Sequence, residues 1–162
     1  MKTAVISGTF DPVTVGHEDI IKRASAIFDR VVIAVSENSE KKCMFDAETR
    51  LKAIKFVLNG IENAEAEICR GLLSDFCKEH GNACLVRGAR NGSDFDYERQ
   101  LYIINKKLGV KESVILPASG GIDHISSTYA RDMLIYGKRL EGIFPDKALD
   151  FLVREYNRIY GK

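Results

Sequence analysis

The residues best suited to chemistry fall in four short stretches. They are Gly8, Thr9, Phe10, Asp11, Gly16 and His17; Lys41 and Lys42; Arg87, Gly88 and Arg90; and Gly120, Gly121, His124, Ser126 and Ser127. A polyphosphate ligand needs what these small, basic and hydroxyl-bearing types supply: backbone N–H groups, point charges and hydroxyl donors. In the first stretch, Gly8 lets a ligand approach the backbone. Gly16-His17 opens a helical pattern, so free N–H groups and a partial positive charge face whatever lies above it. His17 in that turn is placed to direct its imidazole at a phosphate. A lone Gly-His pair reads as a chain turn and an ordinary surface residue; the strand before it, the helix after it and the three other stretches favour function. Arg87 and Arg90 flank a glycine, and arginine grips phosphate through two parallel hydrogen bonds. Salt bridges to Asp94, Asp96 or Glu98 are the alternative, but Arg87 ends an apolar strand, where no acidic partner is required. Lys41-Lys42 alone is a solvated charge pair. Ser126-Ser127-Thr128 alone is a helix cap, and it can serve both purposes. Neither G-x-x-x-x-G-K-[ST] nor a strand-linked G-x-G-x-x-G is present, which argues against P-loop NTPases and ordinary dinucleotide dehydrogenases.

The elements that must position these residues alternate along the chain. Short apolar runs at 2–7, 30–36, 64–69, 83–87 and 113–116 read as strands, and the second is nearly all apolar, as in a parallel sheet covered on both faces. Helical spacing begins at His17 with Ile20, Ile21, Ala24, Ile27 and Phe28. It recurs after Asp46, a predicted N-cap, with Leu51, Ile54, Val57 and Leu58. Further helices are predicted over 73–80 (closed by Gly81), 94–108 (closed by Gly109), 126–136 and 146–160. Such alternation predicts one Rossmann-like α/β domain over 1–162: an open, parallel, five-stranded sheet with helices on both faces. Ligands bind beyond the carboxyl ends of the strands in such sheets, where the strand order reverses. All four chemical stretches follow strands and gather at that edge.

Composition narrows the function further. Hydrophobic residues are 45% of the 162, enough for a sizeable core. No apolar run approaches the ~20 residues of a membrane span, and the N-terminus turns polar too soon for a signal peptide. A cytoplasmic location without membrane attachment is expected. Twenty-four basic and 23 acidic residues give a net charge of +1, which provides no broad attraction to nucleic acid. Any anion site must therefore be local. The four cysteines, Cys43, Cys69, Cys77 and Cys84, form no Cys-x-x-Cys pair and suit reduced thiols. Cys69, Cys77, His80 and Cys84 lie close in sequence but match no zinc spacing, so core thiols plus a surface histidine are expected. Asn91-Gly92-Ser93 matches a glycosylation sequon that a cytoplasmic chain never presents to that machinery.

The stretch from Gly8 to His17 (Gly-Thr-Phe-Asp-Pro-Val-Thr-Val-Gly-His) resembles the signature of the nucleotidylyltransferase superfamily, whose core is histidine or threonine, any residue, then Gly-His. The threonine form, Thr14-Val15-Gly16-His17, is similar to the phosphopantetheine adenylyltransferase family. Lys41-Lys42 before Met44-Phe45, the run from Arg87 to Glu98, and Ile125-Ser126-Ser127-Thr128 agree in order and spacing. The resemblance implies transfer of an adenylyl group from ATP to 4'-phosphopantetheine, with Mg2+, in a homohexamer making dephospho-coenzyme A. It implies that Thr9, Lys41 and Arg87 bind the acceptor phosphate and that Leu73 and Asn105 line the pantetheine arm. It assigns ATP to Thr9, Phe10, His17, Gly88, Ala89, Arg90, Glu98, Ile122, Asp123, His124, Ile125, Ser126, Ser127 and Thr128. It casts His17 as transition-state stabiliser, assisted by Lys41 and Arg90. Cys43, Ile122 and Thr128 depart from the family pattern of proline, an aromatic residue and a third serine. Two rivals are a related transferase acting on another phosphorylated acceptor and an adenine-nucleotide-binding module without turnover. The module needs no second anion site.

Overall fold

The computed structural model describes residues 2–37, 42–137 and 140–161. Its β-branched runs form five strands: β1 (Thr3–Gly8), β2 (Arg30–Ser36), β3 (Ala64–Cys69), β4 (Cys84–Ala89) and β5 (Ser113–Pro117). The helices are α1 (Val15–Ile27), α2 (Ala47–Leu58), α3 (Leu73–Glu79), α4 (Gly92–Lys107), α5 (Ser127–Tyr136) and α6 (Asp146–Tyr160). The strands pair in parallel in the order β3-β2-β1-β4-β5. The order reverses between β1 and β4, so the crevice that the connectivity rule assigns to ligands opens above those two strands.

Successive side chains of a strand point to opposite faces, and here the two faces bury two different cores. Ala4 and Ile6 of β1, with Val31, Ile33 and Val35 of β2, meet Ile20, Ile21 and Ala24 of α1, Ile54 and Val57 of α2, and residues of α5 and α6. Val5, Val32, Ala34 and Leu85 meet Phe76 and Cys77 of α3 in a smaller cluster. Each fully enclosed valine or isoleucine contributes about 1.5–3 kcal/mol to this arrangement. Of the three cysteines expected as core thiols two are buried, whereas Cys84 is half-buried outside the core clusters, and His80, expected at the surface, is only 11% exposed. Cys69 and Cys77 lie in the smaller cluster, and burial raises the Cys77 thiol to about 11, so it stays protonated. The His80 ring packs on Phe76 at 4.5 Å, with its Nε2 3.6 Å from Glu67.

Several boundaries differ from the sequence expectation, each for a local reason. β4 continues through Gly88 and Ala89, which pair with Leu116 and Pro117 of β5; these residues end a strand rather than begin a loop. α4 starts at Gly92 because the Asn91 side chain caps it, accepting the Asp94 N–H at 2.9 Å. α1 starts at Val15, two residues ahead of His17. The predicted Asp46 cap is present, accepting the Thr49 N–H at 2.7 Å. Residues 2–7 and 83–87 were the expected first and fourth strands; the observed ones each end later, at Gly8 and Ala89.

Helix α4 is an outlier. It touches β4 and β5, yet Glu98 is its one buried residue. Phe95, Tyr97, Ile103, Ile104 and Leu108 are between 44% and 59% exposed, an apolar load that monomer packing leaves unused.

Candidate active site

A cavity of about 450 Å3 sits above the reversal of strand order. Ser7, Gly8, Phe10, Thr14, Gly16 and His17 line it from the β1–α1 side; Arg87, Gly88, Ala89, Arg90, Asp94, Tyr97 and Glu98 line it from β4 and α4; Ile122, Ile125, Ser126, Ser127 and Thr128 line it from the approach to α5. Three of the four stretches singled out in the sequence therefore converge. Of the fourth, Lys42 does not line the cavity, and Lys41 lies outside the described residues.

The β1–α1 loop is shaped by close packing. A Cβ at Gly8 would lie 3.0 Å from the Phe10 ring, which folds back over it, so any side chain there would have to push the ring aside by a few tenths of an ångström. Phe10 itself has φ of 51° and is buried, and its ring meets that of His17 edge-on with centroids 5.0 Å apart. The sequence expectation gave Gly8 to ligand approach; packing within the loop uses that space. At Gly88 the crowding comes from α1, because a Cβ would sit 3.1 Å from Ile20 Cγ1.

His17 has a defined proton arrangement. The Thr14 backbone N–H donates to its Nδ1 at 2.9 Å, and Thr14 Oγ1 lies 3.1 Å away. A backbone N–H can only donate, so Nδ1 carries no proton and the neutral ring holds its hydrogen on Nε2. Nε2 has no protein partner among the described residues. Burial first, then the charges of Arg90 and Arg87, lower the ring's pKa from 6.5 to about 4. His17 thus offers the half-buried cavity wall one neutral N–H donor at physiological pH.

Both arginines hold acidic partners, against the expectation for Arg87. Arg87 donates from Nε and Nη2 to the two Glu98 carboxylate oxygens at 2.8 and 2.9 Å, and from Nη1 to the Ser7 carbonyl and hydroxyl at 2.7 and 2.8 Å. Register explains this geometry: Ile6 pairs with Val86, which brings Ser7 beside Arg87. Glu98, assigned to ATP from the resemblance, is buried and braces Arg87. Arg90 donates to Asp94 at 2.8 and 3.3 Å on the exposed side, and that hydrogen bond, ahead of other causes, holds the Asp94 carboxyl below its usual range. Pairwise compensation leaves the bare cavity wall close to neutral, so an incoming triphosphate must draw Arg90 away from Asp94 or bring cations of its own.

The hydroxyls at the start of α5 also have internal partners. Ser126 Oγ accepts the Tyr129 N–H at 3.1 Å, Ser127 Oγ donates to the Pro12 carbonyl at 3.2 Å, and Thr128 Oγ1 accepts from Arg131 at 3.0 Å. The N–H of Val15 donates to the Ile143 carbonyl at 3.0 Å, which removes one of the helix α1 donors expected to face an anion.

A cytidylyltransferase-like family model matches residues 5–133. A phosphopantetheine adenylyltransferase of Thermotoga neapolitana is 44% identical over 135 residues, covering 83% of this chain and 84% of the relative. One from Clostridium novyi is 38% identical over 160 residues, covering 98% and 99%. The chain belongs to the phosphopantetheine adenylyltransferase family, within the cytidylyltransferase-like group. Its fold is also that of a Plasmodium falciparum nicotinic acid mononucleotide adenylyltransferase complexed with NaAD, with TM-score 0.69, 16% identity and 97% of each chain covered.

Several residues assigned to the site from this family resemblance are not among those that line this cavity. Thr9 lies between the lining residues Gly8 and Phe10 without lining it, and its carbonyl accepts from Arg50 at 2.6 Å. Asp123 and His124 are exposed, in the segment whose Ile122 and Ile125 do line it. Leu73 packs against the smaller core on α3, and Asn105 lies along α4 beyond the cavity. Arg131 was not anticipated: it ties Thr128 on one side to the Asp11 carbonyl at 2.7 Å on the other. Its spacing of three from Thr128, on one helix face, was the available signal.

Proposed function

We propose that this protein transfers the adenylyl group of ATP to 4'-phosphopantetheine, releasing pyrophosphate and dephospho-coenzyme A. The observation that carries the reading is the His17 geometry: one Nε2–H donor, locked by Thr14, facing the cavity where the strand order reverses. That the relatives are phosphopantetheine adenylyltransferases supports the choice of acceptor. An oxygen of the acceptor phosphate attacks the α-phosphorus in line, and pyrophosphate leaves. The nucleophile is already ionised near neutral pH, so no side-chain base is needed; His17 could not serve as one, since Nδ1 is occupied and Nε2 carries the proton. Catalysis rests on placement and on charge stabilisation in the transition state. His17 donates to the transferring phosphoryl oxygens, Arg90 exchanges Asp94 for phosphate, and Arg87, braced by Glu98, faces the acceptor with Thr9 and Lys41.

Magnesium belongs to this reading as part of the nucleotide substrate. Among the described residues no group of three or more histidine, cysteine, aspartate or glutamate side chains could hold a metal. Asp94 and Glu98 in the cavity wall already bind arginines. Mg2+ is held in such sites mainly by substrate phosphates and water, and it supplies charge neutralisation there.

The reading includes a homohexamer in the cytoplasm. The exposed apolar face of α4 supports self-association, and four free cysteines suit a reducing compartment. Among the described residues no helix is long and apolar enough to cross a membrane. Sedimentation of the wild type and of Ile103→Asp/Ile104→Asp tests the assembly, with the variant expected to dissociate.

The activity is tested by incubating the protein with ATP and either 4'-phosphopantetheine or nicotinamide mononucleotide and measuring pyrophosphate. Release with 4'-phosphopantetheine alone is expected. Tight ATP binding without pyrophosphate from any acceptor would instead favour a nucleotide-binding module.

A further inference from the structure

Arg50 lies on α2 and is 3% exposed. Its Nε donates to the Phe45 carbonyl at 3.1 Å, and its Nη1 donates to the carbonyls of Thr9 at 2.6 Å and Ser36 at 2.8 Å. Among the described residues all of its hydrogen bonds go to backbone carbonyls, none to a carboxylate. A buried cation without a paired anion is costly, and an apolar side chain of similar volume would serve packing better. Arg50 also stands in the apolar stripe of its helix, in line with Ala53, Ile54 and Val57.

The three carbonyls belong to segments that the proposed function puts on the acceptor side. Thr9 is in the β1–α1 loop, Ser36 closes β2, and Phe45 immediately precedes the Asp46 cap of α2. Arg50 therefore binds both flanks of the β2–α2 connection to the loop that carries Thr9. Asp11 makes the reverse connection, since its buried carboxylate accepts the N–H groups of Met44 and Phe45 at 2.7 and 2.9 Å. The guanidinium makes no ion pair among the described residues; the carboxylates nearest to it in the network are Asp46, whose carboxyl the Thr49 N–H and, to a lesser extent, the Arg50 charge hold low, and Asp11, which binds the N–H side of Phe45 while Arg50 binds its carbonyl.

We propose that Arg50 is a positioning residue for the acceptor phosphate: by holding the Thr9, Ser36 and Phe45 carbonyls it fixes the β1–α1 loop against the two described flanks of the β2–α2 connection, without touching the nucleotide. The proposal rests on the adenylyl-transfer reading above. The test uses the full-length protein and the Arg50→Gln and Arg50→Lys variants, with circular dichroism and Tm as controls of folding. Calorimetric Kd values for 4'-phosphopantetheine and for ATP are measured separately, together with both KM values and kcat. Losing charged hydrogen bonds of this kind should weaken acceptor affinity by about tenfold or more in Arg50→Gln, with ATP affinity and kcat nearly unchanged. Arg50→Lys, which keeps the charge without the fork, should recover part of the loss. Equal weakening of acceptor and ATP, or unchanged acceptor affinity, overturns the proposal and leaves Arg50 a structural staple. Should Arg50→Gln not fold, a folded Arg50→Lys with wild-type acceptor affinity overturns it equally. A wild type that binds acceptor but releases no pyrophosphate refutes the adenylyl-transfer reading, a result distinct from any failure in the Arg50 variants.

Discussion

Replacing His17 tests the central physical claim, that a neutral imidazole donates one hydrogen bond through Nε2. The ring accepts the Thr14 N–H at 2.9 Å and meets Phe10 at 5.0 Å. His17→Ala removes a donor of the oxyanion-hole type, and kcat should fall by on the order of 10²–10³, about 3–4 kcal/mol of transition-state stabilisation. Affinity for ATP should change less. The same substitution leaves the Thr14 N–H without its acceptor, at about 1–3 kcal/mol of fold stability, and removes an aromatic contact worth about 0.5–1.5 kcal/mol. His17→Gln, with both an acceptor and a donor, should recover part of each loss. The pH dependence gives an independent reading. The folded pKa of about 4 lies below the ordinary histidine value of 6.5, so the unfolded chain takes up a proton that the folded chain resists. Wild-type stability should therefore decline as pH falls from 6.5 toward 4 and level off below, by at most ~3 kcal/mol over the window. In His17→Gln that slope should be absent. Pyrophosphate release at saturating substrates, measured from pH 5 to 8, should show no step due to His17, because its active donor is already present in the neutral ring. An apparent pKa of 6 to 7 in wild-type kcat that vanishes in His17→Ala would refute the neutral-donor reasoning, as would a variant with near-wild-type kcat.

Glu98→Gln should lower Tm and weaken acceptor binding, because it leaves the Arg87 guanidinium, half enclosed at the cavity wall, without its charge partner; about 2–4 kcal/mol of stability is at stake, readable by denaturant titration. Asp11→Asn keeps the shape of the side chain but gives up two charge-assisted bonds to the Met44 and Phe45 N–H groups. A loss of about 2–3 kcal/mol is expected, with faster proteolysis between Ser36 and Asp46. Lys41→Ala should raise the KM for 4'-phosphopantetheine more than that for ATP; equal KM values in variant and wild type would remove Lys41 from the acceptor site.

How much was legible depends on the range of the interaction concerned. The alternation of strands and helices was readable because side-chain periodicity is a local property: 30–36 is apolar on both faces and 146–160 carries a helical stripe, and both appear at their predicted bounds. The Gly16-His17 turn was readable for the same reason, as was the Asp46 cap. Strand ends were less so, because Gly88 and Ala89 join a strand only when β5 is available to pair with them.

The sequence by itself determined which residue types could meet an anion and that they follow strands, since composition and period act within a few residues. The tertiary structure alone decided who holds whom. Arg87 found Glu98 and Ser7, Arg50 found three carbonyls, and Arg131 found Asp11, pairings across 5 to 120 positions. It also left Asp123, His124, Leu73 and Asn105 out of the cavity's lining. Such outcomes follow from strand order and register, which bring distant segments within hydrogen-bonding reach, and neither is encoded in the spacing of neighbouring residues.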